Sequence, residues 1–246
     1  MSSKSRHSKS LLFPIMGCCV VAGIQFSINA DEPMQNDLSA QQILERVQEV
    51  YKRCRSYRDT GIAKTVFIKT NSKEVVEKRF ATAFIRPDRF RFEYKERGED
   101  GRDSRYIVWC KGKDVKTWWD RQPGIEKEKS LGLALAGATG VSSSTAHNIP
   151  VLLLPKKVGG RLLTEMTEIK RISNMTLEKF DCCRVEGKVG ESPTTLWIDQ
   201  KSFVVRRIDE QTEFATFRTE RTMTYEPMLD GEIADELLEF GAPSQK

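Results

Sequence analysis

Apolar and polar positions alternate along two long parts of this chain. In the first part the period is two residues, as in β-strands, and short turns separate the segments. The predicted strands are Thr60–Thr70, Lys73–Arg86, Asp88–Glu96, Arg105–Lys111, Asp114–Asp120 and Ile125–Lys129. Because sequential strands joined by short turns pair as antiparallel neighbours, this pattern predicts an antiparallel meander.

The second alternating part follows residue 167 and ends near residue 225. Its predicted strands are Glu168–Asn174, Lys179–Val189, Thr194–Asp199, Phe203–Asp209 and Glu213–Tyr225. In the last strand one face is mostly apolar, although Thr219 and Arg221 interrupt it midway. One apolar and one polar face indicate a sheet that is covered on one side.

An amphipathic helix precedes the strands. Ser39 and Gln42 form a capping box, and apolar residues then recur at helical spacing up to Cys54. This predicts a helix over residues 40–55 whose apolar stripe must cover another element. A short terminal turn of helix is predicted at Asp235–Phe240.

The segment Leu131–Pro155, which we call the lid, contains no Lys, Arg, Asp or Glu in a chain that is 30% charged. Glycines, the Ser142–Ser144 run and Pro150 interrupt it, which argues against a membrane span. We predict two short helices, Ser130–Ala138 and Ala146–Leu154, with a hinge between them. Either they cap the sheet permanently, or they open to admit an apolar ligand.

A cation interrupts the aromatic face of the sheet. Arg86 shares its strand parity with five aromatic residues, Phe80, Phe84, Phe90, Phe92 and Tyr94. A guanidinium on an apolar face needs acceptors, and the C-terminal carbonyls of the uncharged lid helices could supply them. The alternative is that Pro87 breaks the strand and turns Arg86 towards solvent.

The first 30 residues have the layout of a secretory signal. A basic start is followed by the uncharged, mostly apolar Leu11–Phe26, and we predict cleavage after Ala30. The remaining residues, 31–246, are predicted to form a single exported domain. Alternatively, Ile15–Cys18 is a lipobox, which would leave Cys18 acylated and the protein anchored to a membrane.

Charge and chemistry exclude several classes of function. Loss of Lys4, Arg6 and Lys9 with the signal reduces the 40 basic residues to 37 against 35 acidic ones, so no nucleic-acid-binding field is predicted. The single remaining histidine, His147, excludes a histidine metal cluster. With no recognisable catalytic or cofactor motif, the sequence predicts no enzyme, no cofactor and no metal.

Four cysteines follow the predicted signal. The sequence has neither a CxxC pair nor a disulfide framework, so we expect buried free thiols. A single disulfide is the alternative. A nucleophile that pairs His147 with a cysteine would lack an orienting third group. The four cysteines are Cys54, Cys110, Cys182 and Cys183.

Several of these features together resemble the outer-membrane lipoprotein carrier (LolA-like) family. Arg86-Pro87 precedes an aromatic strand, and the uncharged lid follows a strand pair that holds Trp118-Trp119. The strands at Leu196–Asp199 and Val204–Arg207 are also similar. The weak similarity covers most of residues 40–225.

The resemblance implies a mainly β (α+β) fold, an open antiparallel half-barrel sheet covered by a few helices over a hydrophobic cavity. It implies a periplasmic carrier of acyl chains or lipoprotein lipid moieties, with a membrane donor complex and an outer-membrane acceptor as partners. Arg86 matches the arginine that bonds lid carbonyls and controls opening. The predicted cavity and lid residues are Arg86, Phe84, Phe90, Phe92, Tyr94, Trp119, Leu131, Leu135 and Leu152.

Two other functions are compatible with the same fold. One is an envelope sensor or binding module that resembles RseB-type proteins. The other is a membrane-anchored acceptor of the LolB-like type, which would require an acylated Cys18.

Overall fold

The computed structural model describes residues 38–98 and 103–243. Twelve strands within these residues form one antiparallel sheet. They are β1 Ser56–Lys69, β2 Ser72–Ile85, β3 Arg89–Arg97, β4 Asp103–Lys111, β5 Asp114–Trp119, β6 Gln122–Lys127, β7 Thr167–Leu177, β8 Phe180–Val189, β9 Ser192–Asp199, β10 Val205–Glu213, β11 Phe217–Tyr225 and β12 Met228–Leu229.

The two predicted meanders join through the pairing of β1 with β11. The strand order is β6-β5-β4-β3-β2-β1-β11-β10-β9-β8-β7, and the short β12 pairs with the start of β1. Gly61 lies opposite Tyr225, and Lys69 lies opposite Phe217. Because β6 and β7 lie at opposite ends of this order, the sheet is open. The predicted fold class, an open antiparallel half-barrel sheet with a few helices, is confirmed.

Five α-helices and a short 3-10 helix are described beside the sheet. Ser39 and Gln42 form the predicted capping box at the start of the first helix. The helices are α1 Ala40–Arg53, α2 Leu131–Val141, α3 Thr145–Asn148, α4 Pro150–Leu153, α5 Pro155–Val158 and the 3-10 helix Asp235–Leu238.

The second predicted lid helix, Ala146–Leu154, is wrong as a single element. Pro150 begins α4 and Pro155 begins α5, because proline lacks the N–H that would continue the preceding helix. Several strand boundaries also differ from the prediction, and the starts of β1 and β11 are among them. β1 begins at Ser56 because residues 56–59 pair with β2, and β11 begins only at Phe217 because the preceding residues form a turn.

The five α-helices cover one face of the sheet, which we call the inner face, whereas the 3-10 helix packs near Ala83 on the opposite face. The apolar stripe of α1, which includes Ile43 and Val47, is fully buried in the same core as the lid. Phe84 and Phe92 from the first meander and Leu196 from the second reach this core. The other face, which we call the outer face, has the charged residues that alternate with these.

Some expectations lie outside the described residues. These are the signal at residues 1–30 and the alternative anchor Cys18. None of the described helices has the length and apolar character needed to cross a membrane. The cysteines Cys54, Cys110, Cys182 and Cys183 are buried free thiols.

Gly61 lies on β1, where the neighbouring strands β2 and β11 leave no room for a side chain. A Cβ there would lie 2.2 Å from the carbonyl oxygen of Thr224 and 2.3 Å from the ring of Phe80. We therefore expect Gly61→Ala to lower the free energy of unfolding by about 1–3 kcal/mol through overpacking. Urea unfolding followed by circular dichroism measures this change.

Gly140→Ala in α2 is the matched control, because a Cβ at Gly140 meets no atom within 4 Å. It should raise the free energy of unfolding by up to about 1 kcal/mol, since alanine favours a helix over glycine. Equal urea midpoints for Gly61→Ala and the parent would contradict the expected clash.

Candidate functional site

Arg86 directly follows β2, and a cis peptide bond joins it to Pro87. Its guanidinium points at the helices. Nε donates to the carbonyl oxygen of Cys54 at 2.7 Å. Nη2 donates to the carbonyl oxygens of Tyr51 at 2.9 Å and of Leu153 at 3.1 Å. One side chain thus joins the C-terminal ends of α1 and α4.

The position suits an arginine for a physical reason. The last carbonyls of a helix lack intrahelical donors and carry partial negative charge. The planar guanidinium can donate to several of them at once. Its central carbon also lies 5.2 Å from the ring centroid of Phe84, within the range of a cation–π contact. Arg86 is half-buried, and its donors point at the helix ends.

The predicted cavity residues come together between the sheet and the lid. Seven of the nine have exposed fractions of 3% or less, so the lid packs closely against the sheet. The residues in this shared core are Phe84, Phe90, Phe92, Tyr94, Leu131, Leu135 and Leu152.

Trp119 lies at the edge of this core and is half-buried. Its ring centroid is 5.8 Å from that of Tyr106, which in turn lies 6.2 Å from Tyr94. Tyr106 also approaches the lid closely, because a Cβ on Gly137 of α2 would be 3.3 Å from its hydroxyl. Small residues in α2 thus bring the lid near this aromatic row.

Two further cations of the inner face contact the lid, and the sequence analysis did not assign them to the site. Lys78 Nζ donates to the carbonyl oxygen of Val141 at 2.7 Å. Arg221 Nη1 donates to the hydroxyl of Ser144 at 3.2 Å. The signal that identified Arg86 was present here too, because Lys78 shares the parity of Phe84 and Arg221 interrupts the apolar face of β11.

A buried carboxyl lies among the tyrosines of the inner face. The hydroxyl of Tyr57 donates to Asp59 Oδ2 at 2.7 Å, and the backbone N–H of Thr82 donates to Oδ1 at 2.9 Å. Burial raises the pKa of Asp59 to about 6, although both hydrogen bonds act to lower it. Nearby, the hydroxyl of Tyr51 accepts from the backbone N–H of Val205 at 3.1 Å.

The geometry of the remaining reactive groups does not favour covalent chemistry. His147 lies in α3, with Nε2 3.2 Å from the carbonyl oxygen of Gly159. Burial raises the pKa of the Cys182 thiol to about 11 and also raises that of Cys183, which opposes thiolate formation. Across residues 38–98 and 103–243, no three His, Cys, Asp or Glu side chains group as a metal site would require.

The outer face carries a groove that the sequence did not predict. Its volume is about 810 Å³, and its lining spans the central strands. Ile62 and Leu237 give it apolar surface, whereas Arg79, Arg91 and Glu226 give it charge of both signs. Alternation along one strand could not reveal it, because the groove depends on how several strands curve together.

No family model matches this sequence, and no curated protein matches it. Solved structures with the same type of fold include LprF from Mycobacterium bovis, 11% identical over 79% of this chain and 94% of that one, with a TM-score of 0.45. A LolA superfamily protein from Nitrosomonas europaea is 12% identical over 82% and 98%, with a TM-score of 0.32. MucB in complex with MucA is 12% identical over 82% and 60%, with a TM-score of 0.36.

Proteins of the family that the sequence resembles are therefore among the similar structures. At identities of 12% or less and TM-scores below 0.5, these likenesses carry no argument about the function of this chain.

Asp59 should make stability depend on pH. Its pKa rises from 3.8 to about 6 on folding, so its contribution is complete below pH 3.8 and is lost as the pH rises through 6. Between pH 4 and pH 7, we expect the parent to lose up to about 3 kcal/mol of unfolding free energy relative to Asp59→Asn.

Urea unfolding of both proteins at a series of pH values measures this difference. Asp103→Asn, at an exposed position, serves as the control and should follow the parent. Parallel pH profiles for the parent and Asp59→Asn would show that the carboxyl does not titrate in this range.

Proposed function

We propose that this protein is an exported, non-enzymatic carrier that binds acyl chains or the lipid moiety of lipoproteins between the inner face and the lid. The observation that carries this proposal is the contact of Arg86 with three carbonyls, those of Tyr51, Cys54 and Leu153. This contact, which we call the clamp, holds helices from two distant parts of the chain over an aromatic face.

The clamp is well suited to open and close. All three acceptors are neutral carbonyls, and a hydrogen bond to a charged group contributes about 1.5–3 kcal/mol. Water can replace these bonds when the lid moves, so opening leaves neither the guanidinium nor the carbonyls unpaired. A buried ion pair at this point would resist separation more strongly.

An open lid would offer apolar surface to a ligand. Phe84, Phe90 and Phe92 would lose the cover of Leu135 and Leu152, with which they share the closed core. An acyl chain could replace that cover, at about 0.8 kcal/mol for each buried methylene. Cargo and lid would therefore compete for the same aromatic face, which makes loading and release two states of one equilibrium.

In this function the protein would move through the periplasm. A membrane complex would donate the lipid moiety, and an outer-membrane acceptor would receive it. The LolB-like alternative, in which the protein is itself the anchored acceptor, requires an acyl group on Cys18. Mass spectrometry of the processed N-terminus distinguishes a start at Asp31 from a lipidated Cys18.

The groove on the outer face favours a second candidate, an RseB-like module that binds a protein partner. Its mixed charges, from Arg79, Arg91 and Glu226, suit a polar peptide segment better than an acyl chain. This function would not require the lid to open. A stable membrane partner recovered by pull-down, and lost on Arg79→Glu, would support it over the carrier.

The carrier is tested by native mass spectrometry of the exported chain, purified from periplasm without detergent, with extraction of any bound lipid. We expect a stoichiometric acyl-chain adduct. An apo mass, together with no uptake of an added acylated peptide, would contradict the carrier and favour a lid that remains closed.

Arg86→Leu should keep its fold but release cargo poorly. The clamp stabilises the closed, empty protein, so its loss raises the population of the form that binds cargo. We expect the dissociation constant for a dansyl-labelled fatty acid to fall about tenfold. Transfer of this probe to acceptor vesicles should slow in parallel.

Arg89→Leu is the matched control, because Arg89 begins the next strand and pairs with Asp235 at 2.7 Å on the outer face. It should bind and transfer the probe as the parent does. Equal affinities and transfer rates for Arg86→Leu and the parent would contradict a role of the clamp in cargo release.

A further inference from the structure

A row of polar residues crosses the inner face at the end away from Arg86. Lys78 lies opposite Glu96, Thr65 lies opposite Arg221, and Arg221 lies opposite Glu210. Lys78 also lies opposite Ala63, two residues from Thr65, so the row is continuous across five adjacent strands. We call it the polar stripe; its members are Glu96, Lys78, Thr65, Arg221 and Glu210.

The hinge of the lid, Ser142–Ser144, lies upon this stripe. Ser142 is fully buried, and Ser143 is 8% exposed. Ser143 and Ser144 have φ values of 56° and 68°, in the left-handed region that residues other than glycine seldom adopt. Two consecutive residues in this conformation persist only where their surroundings hold them.

The polar stripe contacts two of the three hinge residues and the residue that precedes the hinge. Lys78 Nζ donates to the carbonyl oxygen of Val141, the last residue of α2, at 2.7 Å. The hydroxyls of Thr65 and Ser143 are 3.3 Å apart. Arg221 Nη1 donates to the hydroxyl of Ser144 at 3.2 Å.

Both cations of the stripe have acidic partners in the sheet. Lys78 Nζ is 3.5 Å from Glu96 Oε2, and Arg221 Nη1 is 3.2 Å from Glu210 Oε2. These pairs belong to the sheet alone, so they can persist when the hinge leaves. The lid side of each contact is a neutral carbonyl or hydroxyl, as it is at Arg86.

We infer that the polar stripe is a second latch, which holds the hinge independently of Arg86. The stripe then restrains the end of α2 and the start of α3, whereas Arg86 restrains the end of α4. The two halves of the lid can therefore open one at a time. This inference deepens the proposed carrier, but it concerns the ligand-free protein and can be tested without any lipid.

Hydrogen exchange of the full exported chain, measured by mass spectrometry, tests the latch. In Lys78→Met/Arg221→Met the methionines keep most of the side-chain length but remove both cations. Amides of residues 141–148 should exchange about tenfold faster than in the parent, because charged hydrogen bonds that favour the closed hinge are lost. Amides of residues 150–158 should keep the parental rate.

Lys73→Met/Arg218→Met is the matched control, since these cations lie on the same two strands with the opposite parity. It should leave exchange in both halves unchanged. Arg86→Leu should give the converse pattern, with faster exchange in residues 150–158 and parental exchange in residues 141–148.

Three outcomes would overturn the inference. One is parental exchange at residues 141–148 in Lys78→Met/Arg221→Met, and another is equal acceleration of both halves by either variant. If the double variant does not fold, Thr65→Val removes one hinge contact without a charge, and unchanged hinge exchange there is the third. None of these outcomes depends on lipid uptake, so failure of the carrier function would be seen separately.

Discussion

The rest of this structure depends on keeping one face of an open sheet away from water. Helices cover that face, and their final carbonyls point into a layer where water is scarce. Buried carbonyls need donors, and a sheet whose own amides are paired can offer only side chains. Arg86 and Lys78 supply these donors. The cations on the inner face thus allow the lid to pack closely against the sheet, because they satisfy these carbonyls.

Charge is divided unequally between the two layers. The lid carries no Lys, Arg, Asp or Glu, so every ionic group at the contact belongs to the sheet. Lys78 and Arg221 keep acidic neighbours within the sheet itself. Separation of the layers would therefore leave Lys78 and Arg221 paired, and water could replace the carbonyl that Arg86 loses from the lid. The cost of moving the lid is then mainly the exposure of apolar surface.

Local signals in the sequence predicted much of this fold. The capping box at Ser39 and the strand alternation depend on near neighbours, and they gave α1 and the antiparallel order. The parity of Arg86 indicated an unusual side chain, but not which carbonyls it would meet, because Tyr51 lies 35 residues away and Leu153 lies 67 away. The contacts of the hinge with the polar stripe and the shape of the outer groove both depend on how several strands curve together. The residue pattern of a single strand does not contain this information.

The pairing of β1 with β11 has a consequence for how the chain acquires its structure. Ile62 of β1 and Thr224 of β11 pair across 162 residues. The first strand of the sheet therefore pairs with a strand that is synthesised almost last. Such long-range pairing slows folding. Until β11 arrives, one edge of β1 is unpaired and the sheet is incomplete. The two meanders can therefore join into one sheet only after nearly all of residues 38–243 are available for folding.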